Sequence, residues 1–271
     1  MLDAEADPGA FREAMSSVYV GGTIKITAAG RHPATDRLLV DNIDLSQAHI
    51  VDIGASDGST SLELIEKLPE FASYTIADLY LTLRAVDVGR RTVFFDRTGK
   101  AVLVAGPRFA GWPSLSTGVA LVYAHVVRGA RVAIADASEI VLLNPEVRRV
   151  MASDPRVDAR VHDVFQPWVG EKPDVIKVAN LLRRLYFSDD ELVRALAALR
   201  DSLPEGGHLM LVDNPRMLNT PPRAGIWRRR GGRFVEIARL GDPEIADLVE
   251  RLGAVTGNLT VAVDRKVARS A

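Results

Sequence analysis

Residues 51–68, VDIGASDGSTSLELIEKL, constrain the fold more than any other stretch of the chain. An apolar run ends in Gly54, passes through Ala55-Ser56-Asp57-Gly58, and enters a helical pattern in which Leu62, Ile65 and Leu68 recur at helical spacing. A buried strand that leaves through glycines straight into a helix opens a parallel α/β sheet, and glycine there lets bare backbone approach a ligand. Taken alone, the same turn also serves as a tight structural connection.

The alternation continues. SYTIAD (73–78) reads as the second strand, RVAIAD (131–136) or ARVHDV (159–164) as a later one, and PDVIKVAN (173–180) and GHLMLVDN (207–214) as two more. Between the last two lies a helix from about Ser188 to Leu203, opened by a Ser188/Glu191 capping box and stopped by Pro204 and Gly206-Gly207. Two stretches break the pattern. RTVFFDRTGKAVLVAG (91–106) is a hairpin turning at Arg97-Thr98-Gly99, and GIWRRRGGRFVEIARL (225–240) is a second one turning at Gly231-Gly232. The expected fold is α/β: a Rossmann-like, mostly parallel sheet with helices on both faces, a hairpin-containing insertion and a late antiparallel hairpin. Residues 1–45 read as a helical or irregular cap segment, 46–83 with 130–271 as the core, and 84–129 as an inserted cap or flap.

Composition removes several chemistries. The chain has 271 residues, 47% of them hydrophobic and 25% charged, which suffices for a large core. With no cysteine, it has no disulfides, thiolate metal sites or cysteine nucleophiles, and no resident metal is expected. A net charge of −1 gives no general attraction to nucleic acid. Asp3, Glu5 and Asp7 occupy the place where a signal peptide needs positive charge, so the expectation is a cytoplasmic protein.

Asp78 ends the second strand about twenty residues past the glycine turn, where a carboxylate can accept from both hydroxyls of a ribose. The loop does not read G-x-G-x-x-G, because Ser56 stands at its middle glycine, and that argues against a pyrophosphate-binding dinucleotide site. VDIGASDGSTS resembles motif I of the class I S-adenosylmethionine-dependent methyltransferases, and TIADLY resembles their second motif. The resemblance implies S-adenosyl-L-methionine as cofactor. It implies a loop wall of Asp52, Gly54, Ala55, Ser56 and Gly58, with Asp78 on the ribose and Leu79 against the adenine. VHDVFQP (161–167) resembles the segment that meets the adenine, making Asp163 the partner of the amino group and Val164 the packing residue. The stretch from Pro173 to Asn214 resembles chemotaxis-receptor methyltransferases in particular, with Asn180, Phe187 and Asp189 in comparable places. Their helical N-terminal domain has no room before residue 46, so a receptor glutamate is not the expected acceptor.

Methyl transfer from a sulfonium is an in-line displacement that needs alignment and exclusion of water, with a base when the acceptor is a hydroxyl or amine. His32, in the irregular Gly30-Arg31-His32-Pro33 stretch, is the candidate base, against the plainer reading of a surface-loop histidine. His162 has equal claims as a site-facing or a packing residue, and His49, His125 and His208 read as structural. Asn180 can orient a cofactor or acceptor group. Tyr186 joins it as a candidate catalytic residue, and Arg183 or Arg184 either faces an anionic substrate or is solvated. Arg228, Arg229, Arg230 and Arg233 read as a solvated sheet edge. The apolar run 112–127 reads first as core packing, with an apolar substrate, a membrane surface or a homodimer contact as functional readings. The resulting expectation is methyl transfer to O or N of a small molecule or a lipid- or sugar-linked metabolite. The alternative is a non-catalytic S-adenosylmethionine-binding scaffold. Replacing Gly54 by Val is expected to block the loop while sparing the fold.

Overall fold

The computed structural model describes residues 7–16, 19–20, 23–24, 32–214 and 220–252. In chain order the elements begin with α1 (Pro8–Ser16), β1 (Tyr19–Val20), β2 (Thr23–Ile24), α2 (Pro33–Asn42), β3 (His49–Ile53), α3 (Ser59–Ile65) and β4 (Ser73–Asp78). Next come β5 (Thr82–Val88), β6 (Arg91–Phe95), β7 (Ala101–Ala105), β8 (Ala110–Gly111), α4 (Thr117–Val132), β9 (Ser138–Val141) and α5 (Pro145–Ser153). The remainder is β10 (Val157–Val161), β11 (Val175–Ala179), α6 (Asp189–Ser202), β12 (His208–Asp213), β13 (Arg223–Arg230) and β14 (Arg233–Leu240). The chain divides into two compact units, one of residues 30–55, 60–79 and 155–271, the other of 1–29, 56–59 and 80–154.

The first unit is the expected α/β sheet, in the order β10-β4-β3-β11-β12-β13-β14. The first five strands run parallel, and β13 and β14 close the sheet as an antiparallel hairpin. From β3 the chain winds outward through β4 to β10, then returns to β11 on the other side of β3. That reversal puts a topological switch point between the carboxyl ends of β3 and β11. The central strands are almost wholly buried, as parallel strands covered on both faces must be. Val51, Ile53, Ile176 and Val178 pack with Leu192, Ala195, Leu196 and Leu199 of α6 and with Trp227 of β13. The Ser188/Glu191 capping box forms as expected, and α6 ends before Pro204.

The late hairpin forms, but its arginines do not make one solvated edge. Arg228 and Arg229 lie on β13, inside the sheet, and turn back to donate to the carbonyls of Gly206 and Leu203 at the end of α6. Carbonyls left open at a helix C-terminus attract cations, which explains the placement. Arg230 and Arg233 alone are exposed.

The second unit carries a five-stranded antiparallel sheet, β8-β7-β6-β5-β9. Its β6–β7 hairpin turns where expected, fixed by Asp96 Oδ1, which accepts from the Thr98 N–H, the Thr98 hydroxyl and the Lys100 N–H. The unit extends past the expected 84–129 in both directions. Thr82–Ala85 of β5 pairs with Ser138–Val141, while Phe11 and Met15 of α1 are closed to solvent in a cluster with Leu83, Val102, Leu103 and Leu142. The N-terminal cap segment is therefore divided: α1 packs in this unit and α2 in the other. Arg131–Asp136 is a helix end and a 3-10 turn, so of the two alternatives for the later strand ARVHDV holds, as β10. Most of the 112–127 run, from Thr117 on, forms α4, which is buried at Val126 and Ala130 but has Leu121 and Val122 72% and 67% exposed, so core packing accounts for one stripe only. His125, expected to be structural, is exposed on this helix. No helix of the described residues is long and apolar enough to cross a membrane.

Candidate functional site

The turn after β3 has left-handed backbone at alternate residues, with φ of 77° at Gly54, 61° at Ser56 and 78° at Gly58. Such φ values are strained for a residue with a side chain, so Ser56 is held there by its surroundings. The N–H groups of Gly54 and Ala55 both donate to the Ala77 carbonyl, at 2.8 and 3.2 Å, which sets the start of the turn one residue from Asp78. Gly54 is also a packing requirement: a Cβ there would lie 2.7 Å from Leu181 Cδ2. Valine at this position would therefore strain the fold as well as block the loop. Asp57 accepts from the N–H and hydroxyl of Ser59, capping the start of α3.

Asp78 ends β4 with 9% exposure, while Leu79 beside it is 40% exposed. The Asp78 carbonyl accepts from the His162 N–H at 3.1 Å, bringing the segment after β10 against the end of β4. Asp163 follows, its Oδ1 accepting from the Phe165 N–H, and Val164 is buried. His162 stacks edge-on against Trp168 with ring centroids 4.9 Å apart. Burial, helped by the Arg160 guanidinium, lowers its pKa against the opposing pull of Asp163.

Beyond the switch point, Asn180 follows β11 with φ 58°. Its Oδ1 accepts from the Asn214 N–H at 2.7 Å, and Asn214 Nδ2 lies 3.1 Å from His32 Nδ1. His32 is only 2% exposed, so the surface-loop reading fails. Gly30 and Arg31 lie outside the described residues. Asn214 was not legible as a partner, because nothing in the sequence relates positions 182 residues apart. Tyr186 is half-buried in the turn held by its N–H on the Arg183 carbonyl, outside this chain of hydrogen bonds. Arg183 and Arg184 do not await a substrate: they bind Glu244, and Arg184 also binds Asp189 and Asp247. Phe187 packs edge-on to Phe165 at 5.4 Å.

Asp52, expected in the loop wall, points its carboxylate into the sheet interior. It accepts from the Ser61 hydroxyl at 2.9 Å and the Tyr74 hydroxyl at 3.0 Å. Lys177 Nζ lies 3.6 Å from it and 3.3 Å from Asp36, which also binds Lys67 at 2.9 Å. Two carboxylates and two ammonium groups thus balance around a lysine wholly closed to solvent. Burial opposes the charge on Lys177, but Asp52 and Asp36 outweigh it and raise its pKa. Burial, then Asp52, push the Tyr74 hydroxyl well above its ordinary value. Among the described residues no group of three or more His, Asp or Glu is placed to hold a metal ion.

No family model matches the chain, and no curated protein matches it. Distant likenesses exist among solved structures. One is the magnesium protoporphyrin IX methyltransferase (ChlM) from Synechocystis PCC 6803 with bound SAH, at 14% identity and TM-score 0.35, covering 68% of this chain and 55% of that one. The mitomycin 7-O-methyltransferase MmcR shares 16% identity at TM-score 0.35, over 69% of this chain and 37% of its own. The S-adenosylmethionine-dependent methyltransferase SibL, in its apo form, shares 14% at TM-score 0.34, over 67% and 36%. The chain thus spans well under two thirds of these proteins' own length. Likeness at this level carries nothing about activity.

Proposed function

We propose that the chain is an S-adenosylmethionine-dependent methyltransferase acting on an O or N atom of a small molecule or a lipid- or sugar-linked metabolite. One observation carries the reading: the left-handed turn at Gly54, Ser56 and Gly58, tied through Ala77 to the strand that ends in Asp78, at the switch point of a parallel sheet. Ligands of doubly wound sheets bind at that edge. The loop also lacks the G-x-G-x-x-G spacing that seats a pyrophosphate, since Ser56 stands at its middle glycine.

In this reading the Asp78 carboxylate accepts from the ribose hydroxyls, Asp163 from the adenine amino group, and Leu79 and Val164 supply apolar contact to the ring. Residues 54–58 take the amino-acid end. The bound cofactor would supply an electrophilic methyl on a sulfonium, whose transfer needs an aligned acceptor and little water. His32, Asn214 and Asn180 form the polar group on the acceptor side of the switch point. The Asn214 amide sets what His32 can do. With Nδ2 facing the ring, Nδ1 accepts and Nε2 carries the proton of the neutral imidazole; with Oδ1 facing it, Nδ1 donates and Nε2 becomes the base. A receptor carboxylate is not proposed as acceptor, since Phe187 and Asp189 are engaged by Phe165 and Arg184.

Thermal unfolding with S-adenosylmethionine, S-adenosylhomocysteine and NAD(H) in parallel tests the reading, because a ligand that binds only the native state raises its stability by about 2.7 kcal/mol at a hundred times its Kd. Stabilisation by the first two and not by NAD(H) is expected. Stabilisation by NAD(H) alone, or by none, overturns it. Binding without methyl transfer to any acceptor in a labelled extract would instead mark a scaffold.

A further inference from the structure

The second unit contains a cavity of about 480 Å³ lined by Val88, Arg90, Arg91, Pro107, Arg108, Phe109 and Tyr123, with the Gly106 backbone. Its size is that of a small-molecule site. Three arginines line it, Arg90 from the β5–β6 turn, Arg91 from the start of β6 and Arg108 from the β7–β8 turn, and no carboxylate does. None of the three makes an ion pair with a described residue, while the nearest acid along β5, Asp87, accepts from the Thr92 hydroxyl. Arg91 holds its guanidinium 5.8 Å from the centre of the Tyr123 ring, and Phe109 leaves 78% of its surface open. Like charges gathered without a counter-ion repel, and a large exposed aromatic ring has no favourable contact with water. One occupant relieves both. An anion satisfies the guanidinium forks, which match carboxylates and phosphates in two-point geometry, and a planar apolar body covers Phe109 and Tyr123.

We infer that this cavity binds a planar aromatic carboxylate, as a site of the inserted unit independent of the methyl-transfer reading. The arginines hold the carboxylate and the two aromatic residues hold the ring system. Naphthalene-2-carboxylate is a suitable probe, read by calorimetry on the full chain without cofactor, beside its neutral carboxamide and inorganic phosphate. The arginines and Phe109 are exposed, so R91Q/R108Q and F109A should fold normally, with thermal midpoints as the check. Saturable binding of the carboxylate is expected, weakened about tenfold or more by R91Q/R108Q, by F109A and by exchange for the carboxamide. Absence of saturable binding, or binding unchanged in both variants, overturns the site. Phosphate binding as tightly as the probe removes the aromatic half of the inference and overturns it as stated.

Discussion

Lys177 Nζ and the Asp52 carboxylate lie 3.6 Å apart on directly paired residues of β11 and β3, and neither side chain is more than 2% exposed. These strands flank the switch point. Asp52 stands two residues before Gly54 and Lys177 three before Asn180, so the ion cluster anchors the two strand ends from which the candidate site is built. Removing one partner of a buried pair leaves the other charge without compensation. Lys177→Met is therefore expected to destabilise the fold by about 3–5 kcal/mol in urea unfolding. Adding Asp52→Asn should recover part of that loss. Equal stability of Lys177→Met and the parent would remove the cluster from the architecture.

The same cluster sets an alkaline limit. Lys177 and Tyr74 both have folded pKa values raised above their ordinary 10.5 and 10.0. Above pH 10 the unfolded chain releases these protons while the native state keeps them, so stability falls as pH rises. Below that range their contribution is complete. Urea midpoints should hold steady to about pH 9.5 and then decline. In Tyr74→Phe, which removes one of the two protons, the decline should be shallower; an unchanged slope would assign it to other groups.

The sheet, both hairpins and the capped α6 were legible because each is written in a local pattern: apolar runs, an Arg-Thr-Gly and a Gly-Gly turn, a Ser-x-x-Glu box. Gly54, Asp78 and Asp163 lie at the ends of β3, β4 and β10, because parallel strands send their carboxyl ends to the same side. What escaped was pairing across long separations. Nothing local says that Asp52 turns inward to Lys177, that Asn214 reaches His32, or that Arg228 and Arg229 serve the end of α6. The only advance sign of the cluster was a lysine in the middle of an otherwise apolar strand, VIKVA.

Gly54 separates backbone from ligand effects. A methyl there meets Leu181 at 2.7 Å and sits on a φ of 77°, and together these should cost about 1–3 kcal/mol. Trimming the obstacle in Gly54→Ala/Leu181→Ala should relieve the steric share and leave the backbone share, so the double variant should lose less than the sum of the single ones. Strict additivity in thermal or urea unfolding would mean that Leu181 gives way freely and φ alone requires the glycine.

Asp78 and Asp163 should both contribute to cofactor affinity, and Asp78 gives the cleaner reading because truncating Asp163 also removes a local turn contact. Asp163 Oδ1 accepts from the Phe165 N–H, so its truncation disturbs the loop as well as any ligand contact. Asp78 ends β4 beside the glycine turn, where two ribose hydroxyls would each donate to a charged acceptor. Asp78→Ala is expected to weaken S-adenosylhomocysteine binding by about 10- to 100-fold in calorimetry, with the fold checked independently by unfolding. Asp78→Asn, which keeps one acceptor and loses the charge, should fall between. Undiminished affinity in Asp78→Ala would move the ribose away from this edge, and the cofactor assignment with it.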